Sequence, residues 1–330
     1  MTVFMRPLFP DIQINQSYMV PVSDGHVIYV EESGNPDGIP VVYCHGGPGG
    51  GSEHLYRRFY NPEHYRIILF DQRGCGKSTP HCANDINATW NNTLSDLTKD
   101  MEVIRQYLNI KRWVVAGGSW GTTVALIYAI EYPSLVLGLI LRGVFLGRQQ
   151  DLDWLYGTKV GASQIYPERH ANFIRGKNAD SVAELLADYY EQLTGDNDLV
   201  QLSAAKQFAH WESSISKLKP SSGSLQMTNK EVIAGSLLAC HYFTNNCFMY
   251  EHEIISEIGR ISHIPGYIIH GRYDIVCKPE GAYELSRFWE NGLLEIIPEA
   301  GHSCTEIGII DGLVRASDEM ANYIKQEKLS

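Results

Sequence analysis

The chain has 330 residues and a formal net charge of −11, with 44% of its residues hydrophobic and 20% charged, the make-up of an ordinary globular protein. The acidic balance, without any lysine- or arginine-rich run, argues against nucleic acid or an anionic membrane surface as a partner. Met1 to Tyr18 hold Pro7, Pro10 and Asp11 and no long apolar core, so neither a signal peptide nor a bilayer-spanning segment is expected.

Seven cysteines without a C-x-x-C pair predict reduced thiols in a cytoplasm rather than a disulfide framework or a zinc site. The histidines lack H-E-x-x-H spacing, so no metal is expected.

In chain order, Tyr18–Glu32 alternates around Ser23-Asp24-Gly25, which predicts an antiparallel hairpin. Val41–Cys44, Arg66–Phe70, Trp113–Ala116 and Val136–Leu141 are short continuous apolar runs, as expected of parallel strands buried on both faces. Between them Leu94–Leu108 and Thr122–Tyr132 read as helices, the second stopped by Pro133. From Leu146 to Cys247 the β-branched runs give way to helical patterns. One is Ser181–Leu193, with Val182, Leu185, Leu186, Tyr189 and Leu193 on a single face. Lys219 to Ser224 reads as a loop. Strand signals return at Tyr267–Ile269 and Leu293–Ile297. The pattern predicts an α/β core in two parts, residues 1–145 and 248–330, interrupted by a helical insertion at 146–247 over the edge of a mostly parallel sheet.

The turn at the end of the third parallel run carries the chemistry. Gly117-Gly118-Ser119-Trp120-Gly121 matches G-x-S-x-G, which presents a serine hydroxyl on a strained strand-to-helix turn. Such a nucleophile needs a base, a group that orients the base, and donors for the oxyanion. His302, after the last strand, is the candidate base, and Asp274, after the strand before it, the candidate acid. The order Ser119, Asp274, His302 is that of α/β-hydrolases. The glycine-rich loop at 45–51 follows the first parallel run. It supplies an oxyanion donor from the N–H of Gly47 or Gly46, beside that of Trp120. Asp71 to Ser78 contains Gly-Lys-Ser but has aspartate where a phosphate loop needs its first glycine. A structural turn with Arg73 buried in local hydrogen bonds is expected instead.

The stretches "HGGPGGG", "YRIILFDQRGCGKSTPH", "WVVAGGSWGTTVALIYAIEYP", "LRGVF", "HGRYDIVCKP" and "AGHS" resemble the proline iminopeptidase (prolyl aminopeptidase) family of α/β-hydrolases over nearly the whole chain. The resemblance implies an α/β-hydrolase fold with an inserted helical cap, release of N-terminal proline from short peptides without a cofactor, and the same triad. A free amine calls for a carboxylate. The resemblance places one at Glu212, after Trp211, but a second family glutamate is matched by Ala239. Loss of such a contact weakens binding by roughly 1.5–3 kcal/mol. The sequence leaves open whether Glu251 or Glu253 replaces it.

Phe145, Phe243 and Cys277 match the family's wall around the proline ring, Arg142 matches an arginine near the site, and Leu155 falls where an aromatic ring is expected. An esterase or amidase acting on small apolar acyl groups, and a ligand-binding protein on the same fold, stay open as alternatives. A homo-oligomer is among the assemblies open to the chain. Cys277 and Cys304 flank the acid and base, and Cys44 and Cys75 are expected in site-facing loops, so bulky thiol reagents are expected to inhibit by obstruction.

Overall fold

Eight strands order as β1-β2-β4-β3-β5-β6-β7-β8 in the computed structural model of the chain, which describes residues 5–219 and 227–327. The hairpin of β1 (Ile14–Pro21) and β2 (Val27–Gly34) forms the antiparallel edge, and β2 also pairs antiparallel with β4. Its turn places Asp24 in the left-handed region at φ 59°. The strands β3 (Ile39–Cys44), β4 (Tyr65–Phe70), β5 (Trp113–Gly118), β6 (Val136–Arg142), β7 (Gly266–Gly271) and β8 (Gly292–Ile297) are mutually parallel. Each predicted strand is present and runs one to four residues beyond the apolar run that announced it, because ladder pairing continues into the flanking residues.

The continuous apolar runs reflect burial on both faces. In β3 and β4, Val42, Cys44, Ile68 and Phe70 enter one core layer, and Val41, Tyr43, Ile67 and Leu69 the other. Alternate side chains point to opposite faces, so a two-sided core needs apolar residues at every position. Helices α1 (Leu94–Tyr107) and α2 (Trp120–Glu131) pack on the first layer. A capping box between Thr93 and Asp96 starts α1.

Among the described residues seven α-helices lie between β6 and β7: α3 (Gln149–Tyr156), α4 (Ala162–Ile165), α5 (Pro167–Phe173), α6 (Val182–Thr194), α7 (Asp198–Ile215), α8 (Asn229–Thr244) and α9 (Glu253–Glu257). Ser181 caps α6, and the five residues read onto one face of that helix are all buried. Of the loop read at 219–224, only Lys219 lies within the described residues. Then α10 (Pro279–Phe288) joins the first layer, and α11 (Ile307–Glu327) covers the second through Ile309, Leu313 and Met320. Among the described residues no helix is long and apolar enough to cross a membrane.

Arg73 is buried, but its partners are not local. Its Nε and Nη2 donate to the two carboxylate oxygens of Asp100 at 2.6 and 2.7 Å, and Nη2 reaches Ser23 Oγ at 2.7 Å. The turn is thus tied to α1 and to the hairpin. Burial pushes the Asp100 carboxyl up to about 6, with the guanidinium pulling the other way. Removing one partner of such a buried pair destabilises by about 3–5 kcal/mol. Arg73→Met should therefore lower the stability measured by urea unfolding by that order.

Candidate active site

The turn from β5 into α2 holds Ser119 at φ 57°, ψ −128°, a region that side chains other than glycine rarely adopt. The strain is held by fixed bonds. Ser119 N donates to Arg142 O at 2.9 Å, and Thr122 N and Oγ1 donate to Ser119 O at 2.8 and 2.7 Å. Both elbow glycines are sterically required. A Cβ on Gly117 would lie 2.2 Å from Gly121 O, and one on Gly121 would lie 2.0 Å from Cys44 O. The serine is partly exposed, toward a cavity of about 660 Å³.

His302 Nδ1 and Asp274 Oδ2 are 2.7 Å apart. Burial acts to raise the Asp274 carboxyl, but the His302 imidazole, His270 and the Cys277 N–H together hold it below its ordinary value. Cys277 N donates to Asp274 Oδ1 at 2.8 Å. His302 Nε2 meets Arg142 Nη1 at 3.2 Å, while Ser119 Oγ lies 3.9 Å from Cys277 Sγ. The structure therefore brings the three candidate triad residues together but joins only the acid to the base. Catalytic hydrogen bonds are often loose before substrate arrives.

Gly46 and Gly47 line the cavity beside Ser119 and Trp120. A Cβ on Gly46 would meet Gly118 O at 2.9 Å and Ser119 Cβ at 3.2 Å, so the loop lies directly against the serine. Trp120 is the first residue of α2, where an N–H has no partner in the helix ladder. The sequence reading missed what braces this loop. Gln72 Nε2 donates to His45 O at 2.9 Å, Gln72 N donates to His45 Nε2 at 3.0 Å, and Trp120 Nε1 donates to Gln72 Oε1 at 3.0 Å. Asp71 Oδ1 accepts from Ser52 N at 2.7 Å and Oδ2 from Lys77 N at 2.8 Å. The Asp71 to Ser78 turn is thus a clamp on the glycine loop. A polar, glycine-punctuated run following a strand was its only sequence signal.

Helix packing completes the cavity. Glu212, on α7, faces it, and Tyr156, at the end of α3, donates a short hydrogen bond to Glu212 Oε1. Burial pushes the Glu212 carboxyl up to about 7, against the opposing effect of the Tyr156 bond. Tyr156 was not singled out in the sequence because its spacing is that of ordinary core. Phe145 and Phe243 meet edge to face at 5.7 Å and line the cavity with Cys277, Arg142 and Leu155. Ala239 lines it as well, on the face of α8 that also carries Glu231, Gly235 and Phe243.

Neither Glu251 nor Glu253 lines the cavity. Glu251 is exposed and accepts from Gln149 N, and Glu253 accepts from Tyr250 N at 3.0 Å. The further carboxylates on the lining are Glu53 and Glu231, both exposed. The helices also grip the loops of the acid and base. Trp154 Nε1 donates to Ile275 O at 2.8 Å, and His302 N donates to Ser216 O at 2.9 Å.

The expectation for the thiols needs correction. Cys44 is the last residue of β3 and points into the core, and Cys75 is enclosed beneath His45, so neither faces the site. Cys277 lines the cavity and Cys304 is half-buried. Burial raises both thiols above the ordinary value, so thiolate is scarce at neutral pH. A bulky maleimide should label Cys277 and Cys304 slowly and spare Cys44 and Cys75, as peptide mass mapping of the native protein will read.

Glu212 also couples to stability. Between the ordinary carboxylate value and about 7, the folded protein holds a proton that the unfolded chain releases, so its stability falls as pH rises through that window. Glu212→Gln removes this loss. Its melting temperature relative to wild type should therefore climb from pH 5 to pH 8.

A family model described as the alpha/beta hydrolase fold matches residues 39–306. A probable proline iminopeptidase of Leptolyngbya boryana is 43% identical over 317 residues, covering 95% of this chain and 97% of the relative. A proline iminopeptidase of Xanthomonas citri is 41% identical over 322 residues, covering 96% and 100%. Among solved structures, an esterase from Exiguobacterium antarcticum superposes with TM-score 0.64 at 22% identity, covering 94% of this chain and 100% of its own. A proline iminopeptidase of Mycobacterium smegmatis superposes with TM-score 0.57 at 18% identity, covering 95% and 99%; at these identities the likeness speaks for the fold. With sequence identity of this order over nearly its full length, the chain belongs to the proline iminopeptidase family of α/β-hydrolases.

Proposed function

We propose that the protein is a serine aminopeptidase that releases N-terminal proline from short peptides through an acyl-enzyme. The observation that carries this reading is the placing of Glu212, a largely enclosed carboxylate, in the same cavity as Ser119 and His302. An enclosed carboxylate selects a cationic group, and the substrate amine fills that role. Phe145, Phe243 and Cys277 form the wall for the pyrrolidine ring, and the helical block at 146–247 acts as the cap that excludes water. The seven unpaired thiols support a reducing compartment such as the cytoplasm.

In the reaction, His302 Nε2 exchanges its contact with Arg142 Nη1 for Ser119 Oγ, which turns from Cys277 Sγ and attacks the prolyl carbonyl as the imidazole takes its proton. Asp274 holds Nδ1–H and stabilises the imidazolium. The N–H groups of Trp120 and of Gly47 or Gly46 receive the oxyanion. His302 then protonates the leaving amine, and a water activated by the same imidazole hydrolyses the prolyl ester.

A second reading, an esterase or amidase of relaxed specificity, is favoured by Gly235 and Ala239. These small residues open the α8 face of the cavity and put no carboxylate where a second amine contact is expected. Kinetics on proline arylamide, alanine arylamide, N-blocked proline arylamide and a short-chain nitrophenyl ester separate the two. The aminopeptidase reading expects preference for free proline, and Ser119→Ala should cost at least about a thousandfold in kcat. Glu212→Gln should raise KM for free proline about ten- to a hundredfold, the equivalent of one lost charge-assisted contact. Cleavage of the blocked substrate and the ester without proline preference would move the assignment to the second reading.

A further inference from the structure

The proposed reaction draws its oxyanion donors from two separate pieces of chain: the peptide groups of Gly46 and Gly47 after β3, and that of Trp120 at the start of α2. The sheet ladder ends before both, at Cys44 and at Gly118. Gln72 bridges the two pieces. It lies two residues past the end of β4, is 3% exposed and does not line the cavity.

The Gln72 amide can point only one way. The indole N–H of Trp120 only donates and the carbonyl of His45 only accepts. Oε1 therefore takes Trp120 Nε1 at 3.0 Å, and Nε2 donates to His45 O at 2.9 Å. A peptide group is planar, so fixing its carbonyl also aims the N–H on its far side. The bond to His45 O thus aims the Gly46 N–H.

The Gln72 backbone acts on the next peptide through a side chain. Gln72 N donates to His45 Nε2 at 3.0 Å, so that nitrogen holds a lone pair and the ring proton is on Nδ1. Nδ1 donates to Gly46 O at 2.9 Å, and Gly50 N donates to the same oxygen at 3.0 Å. Together they aim the Gly47 N–H. An imidazolium would set two N–H groups against each other. Burial, working against Asp71, holds the His45 ring below its ordinary value and keeps it neutral.

Every candidate donor is thus tied to one residue that substrate does not touch. We propose that Gln72 is a positioning residue of the reaction: its side chain sets the span between the Trp120 and glycine-loop donors, and its backbone N–H sets the His45 tautomer that holds the loop. The inference rests on the proposed role of Ser119 as nucleophile but not on proline as substrate, because any acyl transfer to that serine forms an oxyanion.

The test compares the wild type with Gln72→Met, which keeps the length of the side chain and removes both of its hydrogen bonds. The substrate is whichever of proline arylamide and the nitrophenyl ester the wild type cleaves. A deleted oxyanion donor costs about 10²–10³-fold in kcat, and donors displaced rather than deleted should cost about ten- to a hundredfold. KM should stay within about twofold, as for an interaction made only in the transition state. Phenylboronic acid, whose adduct with Ser119 Oγ puts a boronate oxygen where the oxyanion forms, should bind more weakly by the same factor as kcat falls. A kcat within about threefold of wild type, a fall in kcat without loss of boronate affinity, or a fall matched by a rise in KM would overturn the proposal.

If Gln72→Met does not fold, Trp120→Phe cuts the indole arm alone and keeps the backbone N–H. It should show the same pattern at smaller amplitude, and wild-type kcat and boronate affinity would overturn the proposal. Nitrogen-15 histidine spectra of the wild type should show His45 protonated on Nδ1 alone; a proton on Nε2 sinks the tautomer lock. Ser119→Ala separates the two ways of failing. If it is inactive, an unaffected Gln72→Met counts against the positioning role alone. If it is as active as the wild type, the nucleophile reading falls and the proposal with it. Should the wild type cleave neither substrate, the boronate affinities of the two proteins decide.

Discussion

The site depends on how closely α2 approaches the end of β3. Gly121 sits so near Cys44 O that a Cβ there would lie 2.0 Å from it, and Gly117 is as tightly pressed against Gly121. This contact fixes three things at once. It forces Ser119 into its strained conformation. It brings the glycine loop against the serine, so that Gly46 touches Gly118 and Ser119. It also sets the N-terminus of α2, whose first N–H groups have no partner in the helix ladder, beside Ser119 and the glycine loop. A single methyl group at either glycine would push the elbow from the loop that completes it. Strain at Ser119 persists because Arg142 O and Thr122 over-determine the turn.

The same geometry explains what could be read in the sequence. Strands buried on both faces have no polar positions, so their signal is a continuous apolar run, and each one was found. Open sheets place their sites just past the carboxyl ends of strands, and there the structure brings Asp274 and His302, loop residues that look unremarkable alone, to 2.7 Å of one another. Strand parity accounts for Cys44: two residues on from Val42, it shares that face and points into the core layer.

The residues that escaped are those whose partners are distant in sequence. Gln72 acquires its role only because the turn after β4 folds back on the loop after β3 and on Trp120. Arg73 meets Asp100 and Ser23 for the same reason. Tyr156 reads as core by spacing and is core by burial; only its hydroxyl reaches the cavity acid. Ala239 illustrates the opposite limit. The family resemblance implies a missing carboxylate at Ala239, but the residues that share its helix face, Gly235 and Glu231, become relevant only once α8 is seen to lie along the cavity.

Charge placement separates scaffold from site. Where buried charge holds the fold, it is closed on itself: Arg57 with Glu31, Arg73 with Asp100, Arg148 with Asp151. Such pairs gain Coulomb energy that offsets desolvation and leave nothing to bind. Two groups on the cavity break the pattern. Glu212 has a neutral phenol for its partner, and Arg142 has a ring nitrogen and a carbonyl of His302. Neither neighbour is a counter-ion, so burial sets the Glu212 carboxyl at about 7, where a cationic ligand would draw off its proton. A protein that needed these residues only for packing would gain by pairing them, as it pairs the other three arginines. Leaving an acid without a counter-ion in the cavity costs stability, and the return is a polar end to the cavity, to which an apolar acyl group would bind no better than to any greasy cleft. The polarity of the cavity therefore weighs toward a substrate that carries charge, and against the simple ester that its aromatic wall alone would admit.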